Sequence, residues 1–100
     1  MYTSGSTGRP KGIEIRHQSI LRLVIGARFA DLGQDQVILH AAPLGFDAST
    51  LEIWGALLNG GCCVLHDESL PTGPGLARTI RAEGVTTAWL TAALFNAVVD

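Results

Sequence analysis

The sequence predicts an α/β fold built on a mainly parallel sheet with alternating helices. Short apolar runs alternate along the chain with segments whose apolar residues recur every three or four positions. The run over residues 37–42 is apolar almost throughout, which is typical of a strand covered on both faces. Alternation of this kind favours parallel strands joined by right-handed helical crossovers.

The first half of the chain is predicted to contain two strands and one helix after an opening loop. Ile13 and Ile15 alternate with charged residues, which is the period of a strand with one buried face. An amphipathic helix follows, and Gly33 is expected to end it. Pro43 stops the second strand because proline has no N–H to donate. The predicted bounds are a loop over residues 2–12, a strand over 12–16, a helix over 17–30 and a strand over 37–42.

The second half is predicted to continue the alternation. Ser49 is expected to cap a helix, with Glu52 three residues later completing a capping box. Trp54 is expected to pack this helix against the sheet. Gly84 is expected to end the next helix, and Thr91 to cap the last one. The predicted bounds are a helix over residues 49–58, a strand over 62–65, a loop over 67–75, a helix over 76–83, a strand over 85–90 and a helix over 91–100.

The composition excludes several classes of function. The chain has 100 residues, 47% of them hydrophobic, which is within the usual size of one domain. A net charge of -2 offers no basic surface for nucleic acid. No apolar run is as long as the roughly 18 residues needed to span a bilayer, and no signal peptide is visible. A cytoplasmic location without membrane contact is therefore expected. Cys62 and Cys63 are predicted to be inert thiols in a buried strand.

The opening loop is the most informative stretch. Residues 2–12 combine glycine, serine and threonine with one proline and two cations. Glycine lets backbone N–H groups approach an anion closely, hydroxyls add donors, and lysine adds a mobile positive charge. The stretch does not match the nucleotide-binding pattern G-x-x-x-x-G-K-[ST], because Lys11 lies between Pro10 and Gly12. Read as a pattern alone, it is also compatible with a flexible linker.

The order of these residues resembles a known motif. Residues 3–12, Thr-Ser-Gly-Ser-Thr-Gly-Arg-Pro-Lys-Gly, resemble the phosphate-binding loop of the adenylate-forming enzymes. That superfamily contains acyl-CoA synthetases, luciferases and the adenylation domains of nonribosomal peptide synthetases. The resemblance implies that the loop holds the β- and γ-phosphates of ATP through Thr3, Ser4, Gly5, Ser6, Thr7, Gly8 and Lys11.

A second motif narrows the resemblance. Phe46-Asp47-Ala48-Ser49, followed by Glu-Ile-Trp, is similar to the motif that opens the substrate pocket of amino-acid adenylation domains. The resemblance implies that Asp47 binds the α-ammonium of the substrate and that Phe46 stands between its carboxylate and the nucleotide. It also implies that the side-chain pocket is lined by Ala48, Leu51 and Trp89. Without the resemblance, Asp47 is equally readable as a turn former or helix cap, and the apolar residues as core.

Together the two motifs imply a function. The resemblance covers residues 2–100 and implies that the chain, residues 1–100, is an interior piece of the large N-terminal lobe of an adenylation domain, with the C-terminal lobe absent. The implied reaction forms an aminoacyl adenylate from an amino acid and ATP, with Mg²⁺, and releases pyrophosphate during nonribosomal peptide synthesis. A peptidyl carrier domain bearing phosphopantetheine is the implied partner. No catalytic residue and no metal ligand is assigned within the chain, and the isolated chain is expected to be inactive.

Two alternatives stay open at this point. One is a piece of an acyl- or aryl-CoA ligase, which shares the phosphate loop but has less use for Asp47. The other is a non-catalytic phosphate-binding α/β module. In parallel sheets, ligands bind outside the carboxyl ends of the strands. The loop at residues 46–47 and the turn at residues 89–91 are therefore expected to share a pocket that the phosphate loop faces.

Overall fold

The structure, a computed structural model, describes residues 1–4 and 8–99, with the backbone alone described at residues 3 and 4. Helices alternate with short strands over most of the chain, and the predicted α/β fold class is confirmed. No helix in the described ranges has the length and apolar character needed to cross a bilayer. The elements are β1 Tyr2–Ser4, β2 Pro10–Gly12, α1 His17–Val24, β3 Val37–His40, α2 Ala48–Leu57, β4 Cys62–Leu65, α3 Gly73–Glu83 and α4 Ala92–Val99.

The centre of the fold is a parallel pair of strands, β3 and β4. Their register pairs Ile38 with Cys63 and Leu39 with Val64. On the other side of β3, Thr87 adds a single parallel bridge to Ile38. Leu39 N donates to Thr87 O (3.0 Å), and Thr87 N donates to the carbonyl that precedes Ile38 (3.1 Å). The predicted strand over residues 85–90 is therefore wrong in length, because only one of its residues pairs.

The physical reason lies in the hydroxyl groups around this bridge. Thr86 Oγ1 and Thr87 Oγ1 both donate to the side-chain oxygen of Gln36, at 2.8 and 2.9 Å. Val37 N in turn donates to Thr86 Oγ1 at 2.8 Å. Because these side chains bond to Gln36 and Val37, residues 86–87 are held at the start of β3. The segment therefore does not continue as a strand alongside β3.

The core is small and lies on the helix side of β3. Val24, Leu32, Ile38 and Ala56 form a buried cluster contributed by α1, the loop after it, β3 and α2. Leu76 of α3 is also fully buried. Several large apolar side chains are exposed instead, including Leu65 at 72% and Leu70 at 84%. The prediction that Cys62 lies in the core is wrong, since Cys62 is exposed and only Cys63 is partly buried.

The predicted strand over residues 12–16 is replaced by an antiparallel hairpin. β2 ends at Gly12, and its partner is β1, with Thr3 opposite Lys11 and Tyr2 opposite Gly12. Met1 and Ile13 exchange the last two hydrogen bonds, at 2.6 and 3.1 Å. Ile13 and Ile15 are exposed, at 46% and 40%. The alternation of isoleucines therefore reflects no buried sheet face within the described residues.

Helix bounds differ from the predictions where glycine and proline decide them. α1 ends at Val24, well before residue 30, because Gly26 adopts a left-handed conformation with φ 65°. α3 begins three residues early, since Pro74 is favourable in a first turn and Thr72 caps the helix by accepting from Gly75 N at 3.1 Å. The expected ends at Gly84 and the cap at Thr91 are present in the structure. Asp100, the expected end of the last helix, lies outside the described residues.

Candidate functional site

A cavity opens at the N-terminal end of α2. Its volume is about 350 Å³. Its walls come from α1 and the loop after it, from the first turn of α2, and from the segment that follows Thr87. The lining side chains are Leu23, Phe29, Asp47, Ala48, Leu51 and Trp89. The structure thus brings together four of the five residues predicted for the substrate pocket, with Asp47 supplying the charged group among them.

The start of α2 leaves the carboxylate of Asp47 available. Asp47 is the N-cap residue, yet its backbone is already helical, with φ -63° and ψ -29°, and within the described chain its side chain makes no capping hydrogen bond. The alternative interpretation of Asp47 as a helix cap is therefore not supported by its side chain. Asp47 is exposed, and Ala48 and Leu51, which follow at a helical spacing of three, line the cavity beside it.

Phe46 occupies a different place from the one predicted. It is 46% exposed, and its N–H donates to the carbonyl of Pro43 at 3.0 Å, which closes the turn between β3 and α2. It is not among the side chains that line the cavity. The role of Phe46 between the substrate carboxylate and the nucleotide remains a prediction.

The turn that carries Asp47 is attached to α2 by two side chains, and neither acts as predicted. Ser49 is not a cap; its hydroxyl contacts the carbonyl oxygens of Leu44 (3.0 Å) and Phe46 (2.7 Å). Glu52 is 1% exposed and does not complete a capping box. Its carboxylate accepts hydrogen bonds from His40 Nδ1 and from two backbone N–H groups of the turn. The spacing Ser-x-x-Glu predicted a cap, whereas both side chains hold the preceding turn.

The described residues of the predicted phosphate loop belong to the β1–β2 hairpin. Lys11 is exposed and sits opposite Thr3 in the register. Gly8 has φ 80°, a conformation that side chains rarely adopt. Of the other predicted phosphate-binding residues, Thr3 and Ser4 are described by their backbone in β1, and three lie outside the described residues: Gly5, Ser6 and Thr7.

A backbone hydrogen bond connects this hairpin to the turn before Asp47. Tyr2 N donates to Gly45 O at 2.6 Å. Met1 also approaches α2, where Thr50 Oγ1 lies 3.6 Å from its sulfur. The hairpin and the cavity therefore lie at the same edge of the structure, at the carboxyl end of β3. In parallel α/β sheets, ligands usually bind outside the carboxyl ends of the strands.

A larger cavity, about 730 Å³, lies elsewhere, between β4 and α3. Its polar centre is His66, whose Nε2 lies 2.7 Å from Glu68 Oε1 and whose Nδ1 lies 2.9 Å from Thr79 Oγ1. Hydrogen bonds from His66 and then from Thr72 lower the pKa of the Glu68 carboxyl. These groups satisfy one another and join β4 to α3, so cavity size alone does not identify the functional site.

Trp54 and the thiol of Cys63 lie outside the cavity beside Asp47. Trp54 is 40% exposed and lines a groove with His17 and other residues of α1, so the prediction that it packs against the sheet is wrong. Burial raises the pKa of the Cys63 thiol, which disfavours its reactive thiolate form.

Among residues 1–2 and 8–99, no three His, Cys, Asp or Glu side chains come close enough to hold a metal ion. The two histidine–glutamate pairs, His40 with Glu52 and His66 with Glu68, were not predicted.

Comparison with known proteins connects this geometry to a family. The family model described as "AMP-binding enzyme" matches residues 1–100. Malpibaldin synthetase of Mortierella alpina is 48% identical over 97 residues, which is 96% of this chain and 2% of that protein.

Two solved structures share the fold. One is holo-PA1221, a nonribosomal peptide synthetase (NRPS) protein containing adenylation and PCP domains and bound to a vinylsulfonamide inhibitor; it has TM-score 0.84 and 50% identity, over 95% of this chain and 16% of that chain. The other is the Klebsiella oxytoca NpsA N-terminal subdomain in complex with 3-hydroxybenzoyl-AMSN, with TM-score 0.85 and 39% identity, over 95% of this chain and 24% of that chain. The chain therefore spans a small part of each protein that it matches.

Proposed function

Because the chain belongs to the family of AMP-binding enzymes, we propose that its 100 residues are an interior part of an adenylation domain that activates an amino acid. The reaction consumes ATP and releases pyrophosphate, and the aminoacyl adenylate is used in nonribosomal peptide synthesis. The single observation that carries this proposal is the exposed carboxylate of Asp47 at a cavity whose other walls are apolar. A carboxylate that makes no hydrogen bond within the described residues, beside an apolar cavity, suits a ligand that has an ammonium group next to a side chain.

In this proposal the chain's residues bind and orient the two substrates. Asp47 holds the α-ammonium through a charge-assisted hydrogen bond, and Ala48, Leu51 and Trp89 surround the substrate side chain. A substrate carboxylate oxygen then bonds to the α-phosphorus of ATP while the bond from that phosphorus to the pyrophosphate oxygen breaks. Holding the substrates at one edge of the sheet contributes by proximity and orientation.

The hairpin is proposed to hold the phosphate tail of ATP. Lys11 supplies positive charge, and the glycine-containing tip supplies backbone N–H groups. Mg²⁺ is expected to accompany ATP, and we assign it no residue of this chain. The carrier domain is proposed as the partner, since holo-PA1221 contains adenylation and PCP domains in one protein. A location in the cytoplasm is part of the same proposal.

A CoA ligase for aryl acids is the second candidate. It is favoured by the 3-hydroxybenzoyl-AMSN bound to the NpsA subdomain, because that acyl group, unlike an α-amino acid, has no ammonium group beside its carboxyl carbon. The hairpin would serve such an enzyme equally well. The exposed carboxylate of Asp47 would not, because an aryl acid has no ammonium group beside its carboxyl carbon for it to bind. Membership in an enzyme family likewise favours both candidates over a non-catalytic phosphate-binding module.

The direct test is exchange of labelled pyrophosphate into ATP by the full-length enzyme that contains this chain. We expect saturable exchange with at least one free α-amino acid and much weaker exchange with the des-amino acid of the same side chain. Exchange with aryl or fatty acids and with no amino acid would contradict the proposal and support the CoA ligase.

Lys11→Ala is expected to raise the KM for ATP. Because Lys11 is exposed, its ion pair with phosphate is worth about 1 kcal/mol at most, which corresponds to roughly fivefold. The KM for the amino acid should stay unchanged. Steady-state exchange kinetics at varied ATP measure the effect, with Arg81→Ala, an exposed cation on α3, as the matched control. An unchanged KM for ATP would remove Lys11 from the proposed phosphate site.

The isolated 100-residue chain is expected to give no amino-acid-dependent exchange. Asp47 is exposed and the cavity is open in this chain, which supplies only 16% to 24% of the two solved relatives described above. Water therefore has access to Lys11 and Asp47, the two charged groups proposed to contact the substrates. The measurement compares the isolated chain with the full-length enzyme at equal concentration. Saturable exchange by the isolated chain, abolished by Asp47→Ala, would show that these residues suffice.

A further inference from the structure

We propose that Glu52 is a positioning residue that fixes the carboxylate of Asp47, an inference that rests on the amino-acid activation proposed above. Glu52 is 1% exposed, although glutamate is rarely buried in proteins. Its Oε1 accepts from His40 Nδ1 at 2.9 Å and from Ala42 N at 3.1 Å, and its Oε2 accepts from Ala41 N at 3.2 Å. The three donors compensate for much of the cost of removing the carboxylate from water.

These hydrogen bonds connect the turn that ends at Asp47 to the helix that follows it. β3 ends at His40 and α2 begins at Ala48, so Glu52 reaches back from the second turn of the helix to the first residues after the strand. Ser49 holds the later part of the same turn through its hydroxyl. Both parts of the turn are therefore anchored to α2, and Asp47 follows directly after the anchored segment.

The donor set indicates why a carboxylate is needed at this place. Ala41 and Ala42 lie beyond the end of β3, so their N–H groups bond to Glu52 and not to a neighbouring strand. Without Glu52, both N–H groups would lose their partner in a partly buried setting, and the turn could adopt other conformations. An apolar residue would fill the space in the core but would not fix the backbone that precedes Asp47.

The experiment measures discrimination between an amino acid and its des-amino acid in the full-length enzyme, as the ratio of the two kcat/KM values. In Glu52→Gln the amide oxygen can keep the bonds from His40 and Ala42, while its NH₂ group opposes the N–H of Ala41. We expect the ratio to fall about tenfold, the equivalent of one hydrogen bond to a charged group. The kcat/KM for the des-amino acid should stay within roughly twofold of the unsubstituted enzyme, because that substrate has no ammonium group for Asp47 to bind.

Glu52→Ala is expected to lower the ratio further than Glu52→Gln, because it removes all three bonds. Glu83→Gln, an exposed carboxylate at the end of α3, is the matched control and should leave the ratio unchanged. If Glu52→Ala does not fold, Glu52→Gln alone decides the question.

Two outcomes would overturn the inference in different ways. If the unchanged enzyme uses amino acids but Glu52→Gln keeps the full ratio, or loses activity equally with both substrates, Glu52 has only a structural role and the proposed function stands. If the unchanged enzyme uses no amino acid, the proposed function fails and the inference fails with it.

Discussion

Replacing Asp47 by alanine in the full-length enzyme is expected to lower kcat/KM for the amino acid roughly 10- to 150-fold, the value of a hydrogen bond to a charged group at about 1.5–3 kcal/mol. The loss should fall on amino acids alone, since the ammonium group loses Asp47, the charged side chain that lines the cavity in the described part of the chain. Activity towards the des-amino acid should be unchanged or improved, because this substrate has no ammonium group to pair with the carboxylate that is removed.

The measurement is pyrophosphate exchange with the two substrates compared side by side. Asp35→Ala provides a matched control, because Asp35 is an exposed aspartate in the loop before β3 and outside the cavity. Equal losses with both substrates would mean that Asp47 supports the fold and does not bind the amine. If Asp47→Ala leaves kcat/KM the same with both substrates, Asp47 does not bind the amine of the substrate.

Ile38→Ala is expected to destabilise the centre of the sheet by about 2–5 kcal/mol, the usual cost of truncating a buried isoleucine. Ile38 is 2% exposed and lies in β3 between Cys63 of β4 and the bridge to Thr87. Its Cδ1 lies 3.6 Å from the position that a Cβ on Gly55 would occupy. The helix α2 therefore packs directly on Ile38. Truncation leaves a cavity between helix and sheet.

Amide hydrogen exchange of a peptide covering β3 measures this effect within the full-length enzyme. Exchange should accelerate roughly 30- to 4,000-fold, which is the stated free energy converted at about 1.4 kcal/mol per tenfold. Leu70→Ala removes a similar aliphatic group at a position that is 84% exposed, and it should leave β3 exchange unchanged. Protection of β3 that survives Ile38→Ala would show that this strand is held by contacts outside the described core.

The parts of the fold that the sequence predicted well are those that local patterns determine. The β4 run, the α3 stop at Gly84 and the cap at Thr91 depend on neighbours within a few residues. The errors occur where distant residues decide. The hairpin over residues 1–13 needs pairing across a loop, and the bridge at Thr87 needs Gln36, about fifty residues earlier in the chain.

In the candidate site, too, local patterns predicted some residues, and distant parts of the chain supply the others. The motif at residues 46–49 identified the positions of Asp47 and Ala48 because the cavity is built on the first turn of α2. Leu23 and Phe29 were not predicted as lining residues. Leu23 belongs to the amphipathic helix α1, and the loop that follows α1 brings Phe29 to the cavity. Nothing in the spacing indicates that Glu52 reaches the residues after β3.

The main-chain bond from Tyr2 N to Gly45 O affects how this chain can be recombined with its relatives. A chimera that took the hairpin from one synthetase and the β3–α2 turn from another would have to re-form this bond between backbones of different origin. Since both partners are main-chain atoms, no side-chain substitution at the junction would replace it. Crossover points outside residues 1–57 would transfer both segments together with the bond between them.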